Sequence, residues 1–306
     1  MSERRRVHVL SCGTSILHNL KERRVGGPRL AAAVDTMTDW AATELDRDQP
    51  ASRWRASFDR EIGPYLGPLR KIQSPLTLSA EVASLYRHAE DHGPLAPEDA
   101  VALLASDTPG GMLAALLNAA RLGRVVRVHT APELDVHADG ELLLDAAAPG
   151  GPASAVHVVR IPRLLPHTTP GFTGAMRDVS KAMLWAGWLR PRRGELVLHL
   201  AGGYKATLPY LVVLAEYVKA VQPPVRAYCL HEGDQPGSPT NHPVEVYLRR
   251  VDSHRDHQAL AVVAGHRNPD DDRLRDFAYT TDAGRAAFTP VGEILWDLLS
   301  AVEGRP

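Results

Sequence analysis

Residues 195–217, with the sequence ELVLHLAGGYKATLPYLVVLAEY, decide the fold that we expect for this chain. The apolar run at residues 196–200 is followed by Gly202 and Gly203, and such runs bounded by glycine are typical of strands buried on both faces of a parallel sheet. From Leu208 onward the apolar residues recur at helical spacing, so the period changes across the glycine turn. The stretch therefore predicts a strand, a tight turn and a helix in an α/β sheet.

The glycine turn has the features of an anion site. The first N–H groups of a helix lack partners within the helix, and the helix dipole adds partial positive charge at that end. Tyr204 offers a ring that could stack on a base, Lys205 offers a cation for a phosphate, and Thr207 adds a hydroxyl in the same turns. The alternative is an ordinary strand–helix corner with a solvated lysine, because a short glycine motif is a weak signal by itself.

Two earlier strand ends in the sequence also carry polar side chains. The strand expected at residues 7–10 runs into a turn of small and hydroxyl residues: Ser11, Cys12, Gly13, Thr14 and Ser15. The strand expected at residues 99–105 ends at Ser106, Asp107 and Thr108. Open α/β sheets bind ligands at the carboxyl ends of their strands, so both turns are candidate binding sites. A simple Ser or Thr helix cap is the plainer explanation of the first turn.

Strands and helices alternate along most of the chain, which predicts a Rossmann-like, mostly parallel α/β sheet wound on both sides. Further strands are expected at residues 125–130, 156–161 and 225–230, and helices at residues 31–45, 52–65, 81–92, 112–122 and 173–189. The tail contains an irregular loop, a strand at residues 244–248, a hairpin-like stretch at 277–289 and a helix at 291–302. We therefore divide the chain into a Rossmann-like domain at residues 1–233 and a small α+β C-terminal domain at residues 234–306.

The composition limits the classes of protein to which the chain can belong. The 306 residues suit one large domain with a small appendage, and the net charge of -1 argues against a broadly basic nucleic-acid binder. Cys12 and Cys229 are the only cysteines, which excludes a disulfide framework and a cysteine-rich zinc site and fits a reducing compartment. No apolar run approaches the length of a membrane span, and the N-terminus does not read as a signal peptide. We expect a cytoplasmic protein with no membrane partner.

Four short segments occur in a characteristic order: residues 11–15 (SCGTS), Ser79-Ala80-Glu81, Ser106-Asp107-Thr108 and Gly202-Gly203-Tyr204-Lys205. In this order they resemble the CRISPR-associated Rossmann-fold (CARF) family, and most closely its stand-alone branch, whose members include ring nucleases. The resemblance covers about residues 7–232. Its specificity comes from the glycine–glycine–x–lysine motif together with the Gly-Thr-Ser turn after the first strand, since either motif alone is unspecific.

The resemblance implies a homodimer whose two sheets present their carboxyl-end loops to one shared pocket. That pocket would bind cyclic oligoadenylate, the second messenger of type III CRISPR defence, as cyclic tetra-adenylate or cyclic hexa-adenylate. A two-fold ring matches a two-fold site, so each subunit contributes one copy of every contact. Backbone N–H groups and a few cations can satisfy phosphates without making the whole protein basic. The implied ligand-binding residues are Cys12, Gly13, Thr14, Ser15, Ser106, Asp107, Thr108, Gly202, Gly203, Tyr204 and Thr207.

The reaction that we expect is attack of a ribose 2′-OH on its neighbouring phosphate, which leaves 2′,3′-cyclic phosphate ends. The protein need only hold the 2′-oxygen in line and stabilise the charge that grows on the phosphate and the leaving oxygen. We expect Lys205 to stabilise this charge, Ser11 to help orient the ring together with Thr14 or Ser15, and His199 to be the candidate base. These turns contain no carboxylate cluster with two-metal spacing, so we expect no catalytic metal and no cofactor.

One part of the glycine motif departs from the family pattern. The family commonly has Asn or Asp where this chain has His199, and Thr where this chain has Ala201. His199 therefore either replaces an amide contact with a titratable group or is a core histidine bonded to backbone. Both interpretations stay open at this point.

Three other functions are alternatives to a ring nuclease. A ligand-activated effector of the HEPN type would use an Arg-x4-6-His motif, which Arg249 and His254 match, although arginine and histidine are abundant in this chain. A ligand-controlled regulator would use the tail as a winged helix on DNA. Acidic residues at 270–272 and Asp276 would repel phosphate there, so we do not expect duplex DNA as a partner. A dinucleotide-dependent enzyme is least favoured, because the first turn lacks the G-x-G-x-x-G pattern.

Overall fold

The computed structural model describes residues 6–45, 51–96, 99–122, 126–135, 155–165, 171–188, 194–222, 224–230, 242–282 and 285–303. The main sheet contains β1 (Arg6–Cys12), β2 (Ala100–Ser106), β3 (Val126–Thr130), β4 (Ala155–Ile161), β5 (Glu195–His199), β6 (Val225–Leu230) and β7 (Pro243–Val246). Its strand order is β3-β4-β2-β1-β5-β6-β7, and all neighbours are parallel except β6 and β7. A separate antiparallel hairpin joins β8 (Tyr279–Asp282) to β9 (Arg285–Phe288). The predicted class, a mostly parallel α/β sheet, is confirmed.

The helices are α1 (Ser15–Lys21), α2 (Pro28–Glu44), α3 (Ala51–Glu61), α4 (Gly63–Arg70), α5 (Ala80–His92), α6 (Pro109–Leu122), α7 (Phe172–Trp188), α8 (Leu208–Val221), α9 (Ser253–Ala264) and α10 (Pro290–Glu303). The single helix predicted at residues 52–65 is in fact two, α3 and α4. Pro64 lies in the first turn of α4. Proline fits there because its missing N–H would have no partner in a first turn.

The two faces of the sheet are covered by different sets of helices. Val7 and Val9 of β1 belong to the apolar cluster that contains residues of α7, α8, α9 and α10. Leu10 and Cys12 belong to the cluster that contains residues of α1, α2, α5 and α6. Successive side chains of a strand point to opposite faces, so the alternation along β1 places a core on each side of the sheet. The result is a three-layer arrangement of helices, sheet and helices.

The centre of the sheet is the point at which the strand order changes direction. After β1 the chain builds β2, β3 and β4 on one side, and it then crosses to β5, β6 and β7 on the other. In the β1–β5 pair, Leu10 lies opposite His199, so the two strands end at nearly the same level. A crevice forms outside the carboxyl ends of the strands at such a switch point, and ligands of open α/β sheets bind there.

The tail packs against the same core as the sheet. Leu260, Ile294 and Leu295 are buried in the cluster that contains α7 and α8. Arg177 of α7 also forms ion pairs with two carboxylates of α10. The hairpin and the helix that the sequence predicts in the tail are present as β8–β9 and α10. The predicted domain boundary at residues 233/234 lies outside the described residues.

Candidate functional site

A cleft of about 510 Å³ lies at the carboxyl ends of β1 and β5. Its lining combines the turn after β1, the start of α5, the turn after β5 and the end of β6. The lining residues are Gly13, Thr14, Ser15, Ala80, Glu81, Leu200, Ala201, Gly202, Gly203, Lys205, Leu208, Cys229 and Leu230. Five members of the predicted ligand-binding set, Gly13, Thr14, Ser15, Gly202 and Gly203, meet here together with Lys205.

The two glycine turns touch each other inside the cleft. A Cβ atom added to Gly13 would lie 3.0 Å from the backbone nitrogen of Gly203. Gly203 has a φ of +88°, and a Cβ added there would overlap the hydroxyl oxygen of Ser11. A side chain at either position would push the turns apart or strain the backbone. The glycines are therefore required by the close approach of the ends of β1 and β5.

Among the residues that the structure describes, Glu81 of α5 is the acidic group that lines the cleft. Its side chain is buried, and one carboxylate oxygen accepts a 2.7 Å hydrogen bond from the N–H of Gly13. The hydroxyl of Ser15 donates to the other oxygen at 3.1 Å. A Cβ at Gly202 would overlap the carboxylate, so this glycine makes room for Glu81. Glu81 thus lies between the two glycine turns and links them.

This arrangement changes the electrostatics that the sequence suggested. The N–H of Gly13, which was expected to contact a phosphate, already has the Glu81 carboxylate as its acceptor. Burial raises the pKa of Glu81, while the hydrogen bonds from Gly13 and Ser15 favour its ionised form. Lys205 and Thr14 are exposed at the same cleft. The cleft therefore offers an exposed cation and hydroxyl beside the buried carboxyl group of Glu81.

His199 does not reach the cleft lining and lies in the core beneath it. Its Nδ1 is 3.0 Å from the hydroxyl oxygen of Ser84, and its Nε2 is 3.0 Å from Nδ1 of His8. Burial, and then the nearby His88, lowers the pKa of His199 well below its ordinary value. The side chain is thus a buried neutral histidine, held by side chains rather than by the backbone partner that the sequence analysis considered.

The polar side chains of the corner after β2 form hydrogen bonds within the fold. Asp107 is buried and accepts hydrogen bonds from Nε of Arg160 at 2.8 Å and from the N–H of Arg163 at 2.9 Å. The hydroxyl of Thr108 lies 3.1 Å from that of Ser106 and accepts a hydrogen bond from the N–H of Gly111 at the start of α6. The structure does not bring this corner into the cleft lining. β2 flanks β1 on the side away from β5, which separates the two places.

Four more predicted residues point away from the cleft. Ser11 is buried beneath Gly203, and Cys12 lies in the core, where burial raises its thiol pKa. Thr207 is buried and donates its hydroxyl to the carbonyl of Tyr204 at 2.6 Å. The Tyr204 ring packs edge-on against Phe172, with 6.3 Å between ring centroids. These four side chains support the turns from below or from the side.

Glu81 is the site residue that the reasoning from sequence left out of the site. The segment Ser79-Ala80-Glu81 did predict a helix start, and Ser79 is indeed the N-cap, accepting from the N–H of Val82 at 3.1 Å. A glutamate in a first helical turn is ordinary, because it complements the helix dipole. Its burial, which sets it apart, follows from where α5 lies on the sheet.

The arginine of the alternative effector motif already has a carboxylate partner. Arg249 forms a two-pronged ion pair with the buried carboxylate of Glu216, with contacts of 3.0 and 2.8 Å. His254 is exposed, and it lies with Arg249 at a second cleft of about 480 Å³. α10, the helix after the hairpin, is packed into the core and carries acidic side chains toward Arg177. These features favour a structural role for the tail.

Within the part of the chain that the structure describes, no helix is long and apolar enough to cross a membrane. No family model matches the chain, and a search of curated proteins gives no significant match.

Proposed function

We propose that the protein is a CARF-type ring nuclease that binds cyclic oligoadenylate at the cleft between β1 and β5. One observation supports this above the others: the Gly13 and Gly203 turns meet at the switch point of the sheet, with Lys205 exposed beside them. A phosphodiester needs a hydrogen-bond donor and a cation within reach, and the exposed Thr14 and Lys205 supply these groups.

The size of the cleft supports a dimeric site. Pockets for single small ligands enclose about 300–1,000 Å³, and this cleft of about 510 Å³ falls within that range. A ring of four or six nucleotides is larger than one such ligand. Two copies of the cleft facing each other across a two-fold axis would match the ring, and each would hold one scissile phosphate. Sedimentation equilibrium should therefore report a dimer, and a monomer that still cleaves the ring would contradict the shared pocket.

In the proposed reaction a ribose 2′-oxygen attacks the adjacent phosphorus, the bond from phosphorus to the 5′-oxygen breaks, and a 2′,3′-cyclic phosphate forms. The 2′-hydroxyl loses its proton to the Glu81 carboxylate, and the departing 5′-oxygen takes a proton from solvent or from Lys205. Glu81 replaces His199 in this role, because Glu81 lines the cleft and His199 lies below it with two hydrogen-bond partners. Lys205 offsets the negative charge that grows on the phosphate oxygens.

The test is incubation with cyclic tetra-adenylate and cyclic hexa-adenylate, followed by chromatography of the products without added divalent metal. We expect linear products with 2′,3′-cyclic phosphate ends from one of the rings. Lys205→Ala should lower the rate by about 10²–10³-fold, as expected for loss of one transition-state contact. Lys219→Ala is the matched control, because Lys219 lies at the far end of α8 and donates to the carbonyl of Leu248. Equal effects of the two substitutions would contradict the proposed site.

The runner-up is an effector that cuts linear RNA when cyclic oligoadenylate binds. It would use Arg249 and His254, which share the second cleft. The ion pair between Arg249 and Glu216 would have to open before the guanidinium could reach RNA. Cleavage of a labelled linear RNA only after addition of the ring, and its loss in His254→Ala, would favour this function over the first.

A further inference from the structure

Three buried histidines from three different elements meet beneath the cleft. His8 lies on β1, His88 on α5 and His199 at the end of β5, and their exposed fractions are 0%, 2% and 1%. Their ring centroids are 5.3 to 5.4 Å apart. One ring nitrogen from each lies within 4.8 Å of the other two. The chain positions of the three are far apart, so only the fold brings them together.

The hydrogen bonds of this cluster are incomplete. His199 uses one nitrogen for Ser84 and the other for His8, at 3.0 Å each. Nε2 of His8 and Nδ1 of His88 are buried and have no hydrogen-bond partner among the residues that the structure describes. A buried polar nitrogen without a partner costs free energy, and such atoms in a native core call for an explanation.

We propose that His8, His88 and His199 bind one divalent transition-metal ion, with zinc as the expected ion. Imidazole nitrogens suit zinc, copper, cobalt and nickel, whereas magnesium and calcium prefer oxygen ligands. Zinc lies about 2.0–2.1 Å from each histidine nitrogen, so two nitrogens on a tetrahedral ion are roughly 3.3 Å apart. One nitrogen of each histidine lies within 4.8 Å of the other two, so no pair would have to close by more than about 1.5 Å to reach that value. Small side-chain rotations would therefore close the site.

The surroundings of the cluster match those of a histidine metal site. Ligating histidines usually bond their second ring nitrogen to a nearby acceptor, which fixes the ring, and Ser84 stands at Nδ1 of His199 in that way. All three rings are buried, which disfavours their charged form, and neutral imidazole is the form that binds a metal. Three protein ligands leave a fourth coordination position for water.

The site would act on the cleft through the elements that it joins. Glu81 and His88 lie seven residues apart, so they share one face of α5 two turns from each other. His8 and His199 belong to β1 and β5, whose ends carry the two glycine turns. A bound ion would tie these three elements together and hold Glu81 at a fixed place. The proposal stands on the histidines alone and does not depend on what the cleft binds.

The experiment is a metal titration of the full chain after chelation, without any nucleotide. Zn²⁺ should bind with one equivalent per chain and raise Tm, and Co²⁺ should give the visible d–d bands of a four-coordinate site with nitrogen ligands. His88→Gln should abolish binding, and Ser84→Ala should weaken it by about 10–100-fold, as loss of an orienting partner does. His129→Gln is the matched control, because His129 is a half-buried histidine paired with His157 at 3.0 Å outside the cluster.

Several results would overturn the metal site. Failure of the parent chain to bind either ion would do so, whatever the variants show. Thiolate-to-cobalt charge-transfer bands would point to Cys12 or Cys229 instead. Equal loss of binding in His88→Gln and His129→Gln would also refute it. Ring cleavage is assayed separately, so a metal-binding chain that leaves cyclic oligoadenylate intact would refute only the proposed function.

Discussion

A methyl group at Gly203 tests the contact between the two glycine turns. The φ of Gly203 is +88°, and holding alanine in such a conformation costs about 1–3 kcal/mol. The new Cβ would also overlap the Ser11 hydroxyl and lie 2.9 Å from Ser11 Cβ. Overpacking of this kind adds about 1–3 kcal/mol. Gly203→Ala should therefore lower the free energy of unfolding by about 2–6 kcal/mol in total, measured by urea denaturation.

Gly93→Ala provides the comparison that separates the two costs. Gly93 has a φ of +89°, and an added Cβ there would meet no described atom within 4 Å. This variant should lose only the backbone term of about 1–3 kcal/mol. Ser11→Ala removes the overlapping hydroxyl, so the double variant with Gly203→Ala should be less destabilised than the sum of the two single variants. A Gly203→Ala chain as stable as Gly93→Ala would refute the close packing of the two turns.

Three further predictions address charge in the fold and the site. Glu81→Gln keeps hydrogen-bonding atoms for Gly13 and Ser15 but removes the base. We therefore expect ring cleavage to fall by about 10²–10⁴-fold while the fold stays intact. Unchanged kinetics would assign Glu81 a purely positioning role. Asp107→Ala leaves Arg160 buried without its carboxylate and should cost about 3–5 kcal/mol of stability, whereas a loss below about 1 kcal/mol would show a solvated pair. Burial lowers the pKa of His129 to about 4, so the unfolded chain binds a proton at this histidine before the folded chain does. Stability should therefore fall as the pH drops from 6.5 toward 4. His129→Gln should flatten that decline when Tm is measured against pH, and an unchanged slope would contradict this prediction.

The charge of the cleft could not be predicted from local sequence motifs. A glycine turn followed by lysine predicts an anion site, because the motif itself contains only free N–H groups and a cation. The fold adds a carboxylate from a helix that begins far along the chain, and Gly13 donates to it at 2.7 Å. The glycine turns therefore hold the buried carboxyl group of Glu81 at the same cleft as the exposed cation of Lys205. Burial raises the pKa of the Glu81 carboxyl, whereas the hydrogen bonds from Gly13 and Ser15 favour the carboxylate that the proposed reaction uses as its base.

The sequence by itself determined the α/β class and the strands and helices on either side of each turn. These features depend on neighbours within a few residues, where hydrophobic period and backbone freedom decide the structure. Only the tertiary structure decided that Glu81 enters the cleft, that the corner at Asp107 stays outside it, and that His199 joins His8 and His88. Strand order and helix placement set those contacts, and they arise from packing between distant segments that no local pattern records.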